Sequence, residues 1–81
     1  MGITSEKITG NLIEVSISSS NLKSSTYNTD DKKLLMEFNN GSIYEYDDVP
    51  WETFTKFRMA ESQGKYFNST ISKNYKYRKV K

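Results

Sequence analysis

Eighty-one residues with a net charge of +2 and neither cysteine nor histidine allow one small domain, 1–81, that buries only about 60% of its unfolded surface. They exclude disulfides, thiolate metal sites and imidazole catalysis. No apolar run reaches the roughly 18 residues of a membrane span and no signal-peptide pattern opens the chain, so a cytoplasmic protein is expected.

The chain opens on a polar stretch, 1–11, with Gly2 and Gly10, expected to be loose at its start. Ile13, Val15 and Ile17 alternate with Glu14 and Ser16, the pattern of a half-buried strand. Ser18-Ser19-Ser20-Asn21 interrupts it as a bend, and 22–27 resumes extended with weak alternation. Asn28-Thr29-Asp30-Asp31 reads as a turn, because these side chains bond their own backbone. Strands over 32–38 and 42–47 then flank Asn39-Asn40-Gly41.

Two registers compete in that hairpin. A two-residue turn pairs Phe38 with Ile43 and sends Tyr44 and Tyr46 to the face opposite Leu34, Met36 and Phe38. A three-residue loop with Gly41 left-handed pairs Met36 with Tyr44 and Leu34 with Tyr46. The second gathers the apolar residues on one face and is the expected register.

Pro50 suits a first helical position, with Asp47 and Asp48 beside the positive helix start. Trp51, Phe54, Phe57 and Ala60 supply a buried stripe. Ser62-Gln63-Gly64 breaks that helix, and Ser62 caps a second from Gln63 to about Ile71. Residues 73–81 carry five cations and no acid, while the first 72 hold seven cations and ten acids. Tyr75 and Tyr77 alternate there with Lys76 and Arg78, so a short edge strand is possible. The expected fold is α+β: an antiparallel meander of three to four strands followed by two short helices packed on one face.

Four groups of residues invite a binding function. Ser62, Lys65 and Asn68 surround a glycine-containing corner at a helix start, where a phosphate finds donors and a positive charge. Read alone, that corner is also an ordinary helix–helix turn, and it lacks the P-loop spacing. Tyr75, Tyr77 and Arg78 offer stacking rings and a phosphate-pairing guanidinium; the plainer reading has the tyrosines closing the core. Tyr44 and Tyr46 form a stacking platform if the sheet face is open, but the helices need that face, so a core role with hydroxyls at a pocket edge is preferred. Ser19, in the serine bend, either bonds its own backbone or a phosphate oxygen.

Enzyme signatures are missing. The acidic pairs Asp30-Asp31 and Asp47-Asp48 sit where turns and helix starts want carboxylates, so neither metal nor cofactor is expected.

The order of these pieces resembles the KTSC domain, a small bacterial and phage module also found at the C-terminus of some lysyl-tRNA synthetases. The resemblance rests on Ser19-Ser20-Asn21-Leu22, Tyr27, 34–38, Gly41-Ser42-Ile43-Tyr44-Glu45-Tyr46, Val49-Pro50, 60–68, Ile71 and Tyr75-Lys76-Tyr77-Arg78. It covers roughly 16–80, and Lys76 stands where members often have Pro. It implies an α+β fold and a suggested role in RNA binding.

The expected function is therefore non-enzymatic binding of a phosphate-bearing nucleotide, with Ser19, Tyr46, Ser62, Lys65, Asn68, Tyr75, Tyr77 and Arg78 as candidate contacts. The ligand is RNA, or a small cyclic or oligonucleotide messenger held in a closed pocket of a homo-oligomer. In that second version the domain is a phage-type sequestering sponge in the host cytoplasm. The rival is a protein–protein adaptor with no nucleotide ligand, which would show an exposed patch around Trp51 and Met59.

Overall fold

The computed structural model describes residues 2–81. Six strands form one antiparallel sheet in sequential order: β1 (Gly2–Thr9), β2 (Leu12–Ser18), β3 (Leu22–Asn28), β4 (Lys33–Phe38), β5 (Ile43–Tyr46) and β6 (Tyr77–Lys79). Between β5 and β6 the chain makes α1 (Trp51–Met59), then a continuous helical run: α2 (Gln63–Tyr66), a π-helical turn (Phe67–Ile71) and α3 (Ser72–Asn74). The α+β class and the meander followed by helices are as expected. The strand count is not: the sheet has six strands, not three or four.

The error lies at both ends of the chain, and its cause at the N-terminus is a bulge. The polar stretch 1–11, expected to be loose at its start, instead forms a strand over 2–9 that pairs with β2 along its length; Met1 lies outside the described residues. The register shifts between Ile3 and Ser5, so Ile3, Glu6 and Ile8 face the same side as Ile17, Val15 and Ile13. A bulge inserts one residue and reverses the phase of alternation. Ile3 and Ile8, an odd and an even position, therefore share a face that a period of two would have denied them. A second shift, between Leu22 and Ser24, puts Leu22, Ser25 and Tyr27 inward and accounts for the weak pattern of β3.

The central hairpin takes the three-residue register: Leu34 pairs with Tyr46 and Met36 with Tyr44. Gly41 adopts φ +92°, and its N–H donates to the Phe38 carbonyl at 2.9 Å. The Asn28 side chain organises the preceding turn, accepting from the N–H groups of Asp30 at 2.9 Å and Asp31 at 3.0 Å.

Both helical segments cover one sheet face. Phe54 and Phe57 of α1, and Phe67 and Ile71 of the following run, close on Ile13, Val15, Ile17, Leu22, Tyr27, Leu34, Met36 and Tyr46. Pro50 precedes the helix as its N-cap rather than occupying the first helical position. Trp51, expected in the buried stripe, is 47% exposed. It lies at the edge of the layer, 6.0 Å from the Tyr27 ring, and Arg58 covers its ring at 5.1 Å. The same Arg58 pairs with Glu6 of β1 at 2.6 Å, so α1 holds the first strand in place.

Candidate functional site

Two loops far apart in sequence meet at one end of the sheet. The β2–β3 bend brings Ser18 to Asn21 against Ser62 to Lys65 and Asn68, and a cavity of about 420 Å³ lies between them. The bend is held by its own side chains. Ser19 Oγ donates to Asn21 Oδ1 at 3.0 Å and accepts from the Asn21 N–H at 3.3 Å. The β4–β5 loop fastens it further: Asn39 N–H donates to the Asn21 carbonyl at 2.9 Å, and Asn39 Nδ2 to the Ser19 carbonyl at 3.1 Å.

The opposite wall follows from the helix break. Ser62 takes an extended conformation and caps the second run, its Oγ accepting from the Lys65 N–H at 3.3 Å. Buried Gln63 closes the end of α1, its Nε2 donating to the carbonyls of Ala60 at 2.9 Å and Phe57 at 3.3 Å. Gly64 permits the close approach of the two walls. A Cβ there would stand 3.1 Å from Asn21 Oδ1 and 3.3 Å from Ser19 Oγ, tighter than ordinary contact.

A second cavity of about 350 Å³ opens beyond the central hairpin loop, between Phe38, Tyr44, Tyr46 and Tyr77, with Asn40, Ser42 and Ser72 at its rim. Its rings are mutually packed: Tyr44 and Tyr77 at 5.8 Å, Tyr46 and Tyr77 at 5.5 Å, Phe38 and Tyr44 at 5.7 Å. Tyr46 is 4% exposed. Burial, with Tyr77 and then Tyr44 nearby, pushes its hydroxyl up to about 12, so it stays a protonated donor. A smaller cavity over Ser20, Asn21, Phe38, Asn39 and Asn40 shares residues with both and joins them into one groove.

No acidic residue lines any of these three cavities. By contrast, Glu14 and Glu37 line one cavity on the uncovered sheet face, and Asp31 and Glu45 line another. Among the described residues, no group of three or more acidic side chains is placed to hold a metal ion.

The candidate residues thus separate. Ser19, Ser62, Lys65 and Asn68 share the hydroxyl-lined cavity; Tyr46 and Tyr77 share the ring-walled one. Tyr75 lies in neither. Its hydroxyl is 3.0 Å from Thr53 Oγ1, and its ring packs on the core. Arg78 also stands apart. It pairs across the strands with Glu45, on the uncovered face, and its guanidinium bonds Glu45 and, at 3.3 Å, Asp47. The tail therefore brings Tyr77 to the groove, and Arg78 not.

Sequence reasoning missed Asn39, Asn40, Ser42 and Ser72 as groove residues. The asparagines and Ser42 carry a hairpin loop, which was explanation enough for them. Ser72 lies beyond the expected helix end at Ile71, but the helical run continues, and Ser72 Oγ donates to the Asn68 carbonyl at 2.9 Å. That spacing puts both residues on one helix face toward the groove.

The fold and groove together define a small α+β module: a twisted meander, covered on one face, with a polar and aromatic groove at the sheet's end. Residues 18–75 match the KTSC domain, and the chain belongs to that family. It is 36% identical over 59 residues to a lysine–tRNA ligase of Trichormus variabilis. It is 33% identical over 67 residues to an uncharacterized protein of Stutzerimonas stutzeri, covering 82% of this chain and 94% of that one. The ligase match covers 73% of this chain but only 10% of the ligase. Among solved structures, a KTSC domain protein of Yersinia pestis superposes with a TM-score of 0.79 at 30% identity, over 86% of this chain and 99% of that one. The matched span holds the whole hydroxyl-lined cavity; β1, Tyr77 and Arg78 lie outside it.

Proposed function

We propose that this domain binds a phosphate-bearing nucleotide without transforming it, and that the phosphate sits in the cavity between the serine bend and the Ser62–Asn68 corner. The observation that carries this reading is the convergence of the two loops. Serine hydroxyls, asparagine amides and the Lys65 ammonium surround a space without carboxylates, and such groups donate hydrogen bonds to anionic oxygens. The lining holds no histidine, cysteine or carboxylate to act as base or nucleophile.

The ligand is an RNA segment or a small nucleotide messenger. The occurrence of a similar segment in lysine–tRNA ligases favours RNA. The cation count favours a short ligand, because Lys65 alone among the lining residues is charged. Affinity then falls gently with salt: a slope shallower than about −2 on logarithmic axes is expected, since single strands lose about 0.7 per neutralised phosphate. A steep slope would point to an extended basic track along Lys73, Lys76, Lys79 and Lys81 instead.

The test is a thermal-shift and calorimetric screen with single-stranded RNA, single-stranded DNA, and linear and cyclic nucleotides. Binding raises the melting temperature by mass action. Lys65→Ala is expected to weaken binding about fivefold or more, near 1 kcal/mol, while stability changes by no more than about 0.5 kcal/mol. Gly64→Ala narrows the cavity and is expected to weaken binding as well. Wild-type affinity in both variants would remove this cavity from the site.

A specific observation also favours the adaptor reading. Met59 is 79% exposed and Trp51 47% on α1, and Ile8 is 66% exposed on the edge strand β1, which α1 reaches through the Arg58–Glu6 pair. If no nucleotide shifts the melting temperature, Trp51 and Met59 become the residues to test.

A further inference from the structure

The ring-walled cavity is a built site of its own. Buried tyrosine hydroxyls normally find a partner, and Tyr27 meets this rule by donating to the Val49 carbonyl at 2.6 Å. Tyr46 does not. It is 96% buried, as 4% exposure requires. Its hydroxyl makes no hydrogen bond among the described residues, and its side chain lines the cavity. That hydroxyl is not one of the fully buried polar atoms without a partner, so it opens into the cavity it lines, a donor that no protein group engages and that an acceptor placed in the cavity can take up. Tyr77 stands at the mouth of the same cavity, 57% exposed on the edge strand, an available surface for stacking.

The geometry points to this cavity as a nucleobase subsite, so that the ligand is an oligonucleotide of at least two nucleotides rather than a mononucleotide. The inference rests on the nucleotide reading above and extends it. Each cavity, about 350 and 420 Å³, lies near the lower end of the range that holds one small ligand, roughly 300–1,000 Å³. The ledge of Asn21, Asn39 and Asn40 joins them. A base stacked on the exposed Tyr77 ring at the cavity mouth accepts from the Tyr46 hydroxyl through a ring nitrogen or carbonyl oxygen. The sugar–phosphate chain crosses the asparagine ledge, and a phosphate of the adjoining nucleotide reaches the Ser19, Ser62 and Lys65 side.

Calorimetric titration of the full chain with adenosine and uridine monophosphates, 5′-phosphorylated linear dinucleotides, cyclic dinucleotides and a single-stranded RNA hexamer tests this. Dinucleotide-sized or longer ligands are expected to bind at least about tenfold more tightly than monophosphates, the gain from stacking one more base. Tyr77→Ala is expected to bring the dinucleotide down to the monophosphate's affinity. Tyr46→Phe, which keeps the ring, is expected to weaken the dinucleotide about threefold or more with no fall in melting temperature. The preference between hexamer and cyclic dinucleotide tells whether the unit belongs to an RNA strand or to a free messenger. Monophosphates binding as tightly as dinucleotides, or both tyrosine variants binding like wild type, would overturn the base subsite and leave the phosphate cavity standing. Binding of no nucleotide would overturn both.

Discussion

Tyr27 on β3 and Tyr46 on β5 flank Leu34 of β4 in one core, and their hydroxyls have opposite fates. Tyr27 is 1% exposed, stacks on Phe54 with centroids 4.6 Å apart, and donates to the carbonyl of Val49. Tyr27→Phe removes that bond and leaves a buried acceptor behind. A loss of about 1–2 kcal/mol is expected, readable as a lower urea midpoint at unchanged m-value. The parallel substitution at Tyr46 removes an unpartnered donor and is expected to leave stability level or raise it. Tyr46 reads as aromatic core from its strand phase, whereas the weak alternation of β3 leaves Tyr27 without that assignment. Which hydroxyl is partnered depends on Val49, 22 residues from Tyr27, and no local pattern encodes that distance.

Among the elements, β1 is paired with β2 along its length and is tied to α1 by one side chain, Arg58. The Arg58 guanidinium lies 4.8 Å from the Phe54 ring centroid and 5.1 Å from that of Trp51, and it pairs with Glu6. A cation between rings and a carboxylate, with its stem buried, contributes more than an exposed ion pair. Arg58→Ala is expected to cost about 1–2 kcal/mol. More specifically, it should speed amide exchange in Ile3–Thr9 before exchange in β3 or β4 changes. Uniform loss of protection across the sheet would show that β1 is not separately anchored. The strand escaped sequence reading because Glu6 occupies an inward phase and the bulge after Ile3 reverses the count. The acid made sense only once its partner, 52 residues away, was in place. The helical run from Gln63 shows the same limit. Its cap at Ser62 was legible, but its length was not, because the π-turn at Phe67–Ile71 carries it past Ile71 to Asn74. π-turns frequently mark functional positions, and this one holds Asn68 at the cavity.

For the whole molecule, the absence of histidine and cysteine leaves no side chain whose ordinary pKa lies near neutrality, and stability is expected to be flat from about pH 5 to 9. The alkaline limb is different. Burial raises the Tyr46 hydroxyl to about 12, and burial followed by the Tyr75 neighbour raises Tyr27 and Tyr66. Unfolded tyrosines ionise near 10. The stability that these neutral hydroxyls supply is therefore complete below pH 10 and is lost as pH rises toward about 12. Urea midpoints should fall across that window, and less so in Tyr46→Phe. On the acid side, the hydrogen bond from Lys33 holds the Asp47 carboxyl below its ordinary range, with Arg78 adding to it. That contribution is present above pH 3.8 and fades as pH drops through the lowered value.

Sequence alone determined what local chemistry controls. The phase of β2 came from Ile13, Val15 and Ile17, the hairpin register from Gly41 and the inward set of Met36 and Tyr44, and the helix break from Ser62 and Gly64. These depend on periods of two and 3.6 and on φ preferences, which span a few residues. Tertiary structure alone decided that Tyr77 and not Arg78 reaches the groove, because one residue's shift along β6 carries a side chain to the other face of the sheet. It also decided that the serine bend meets the Ser62 corner at all. That contact joins residues more than 40 apart in the chain, and only the closing of the helices over the sheet brings them together.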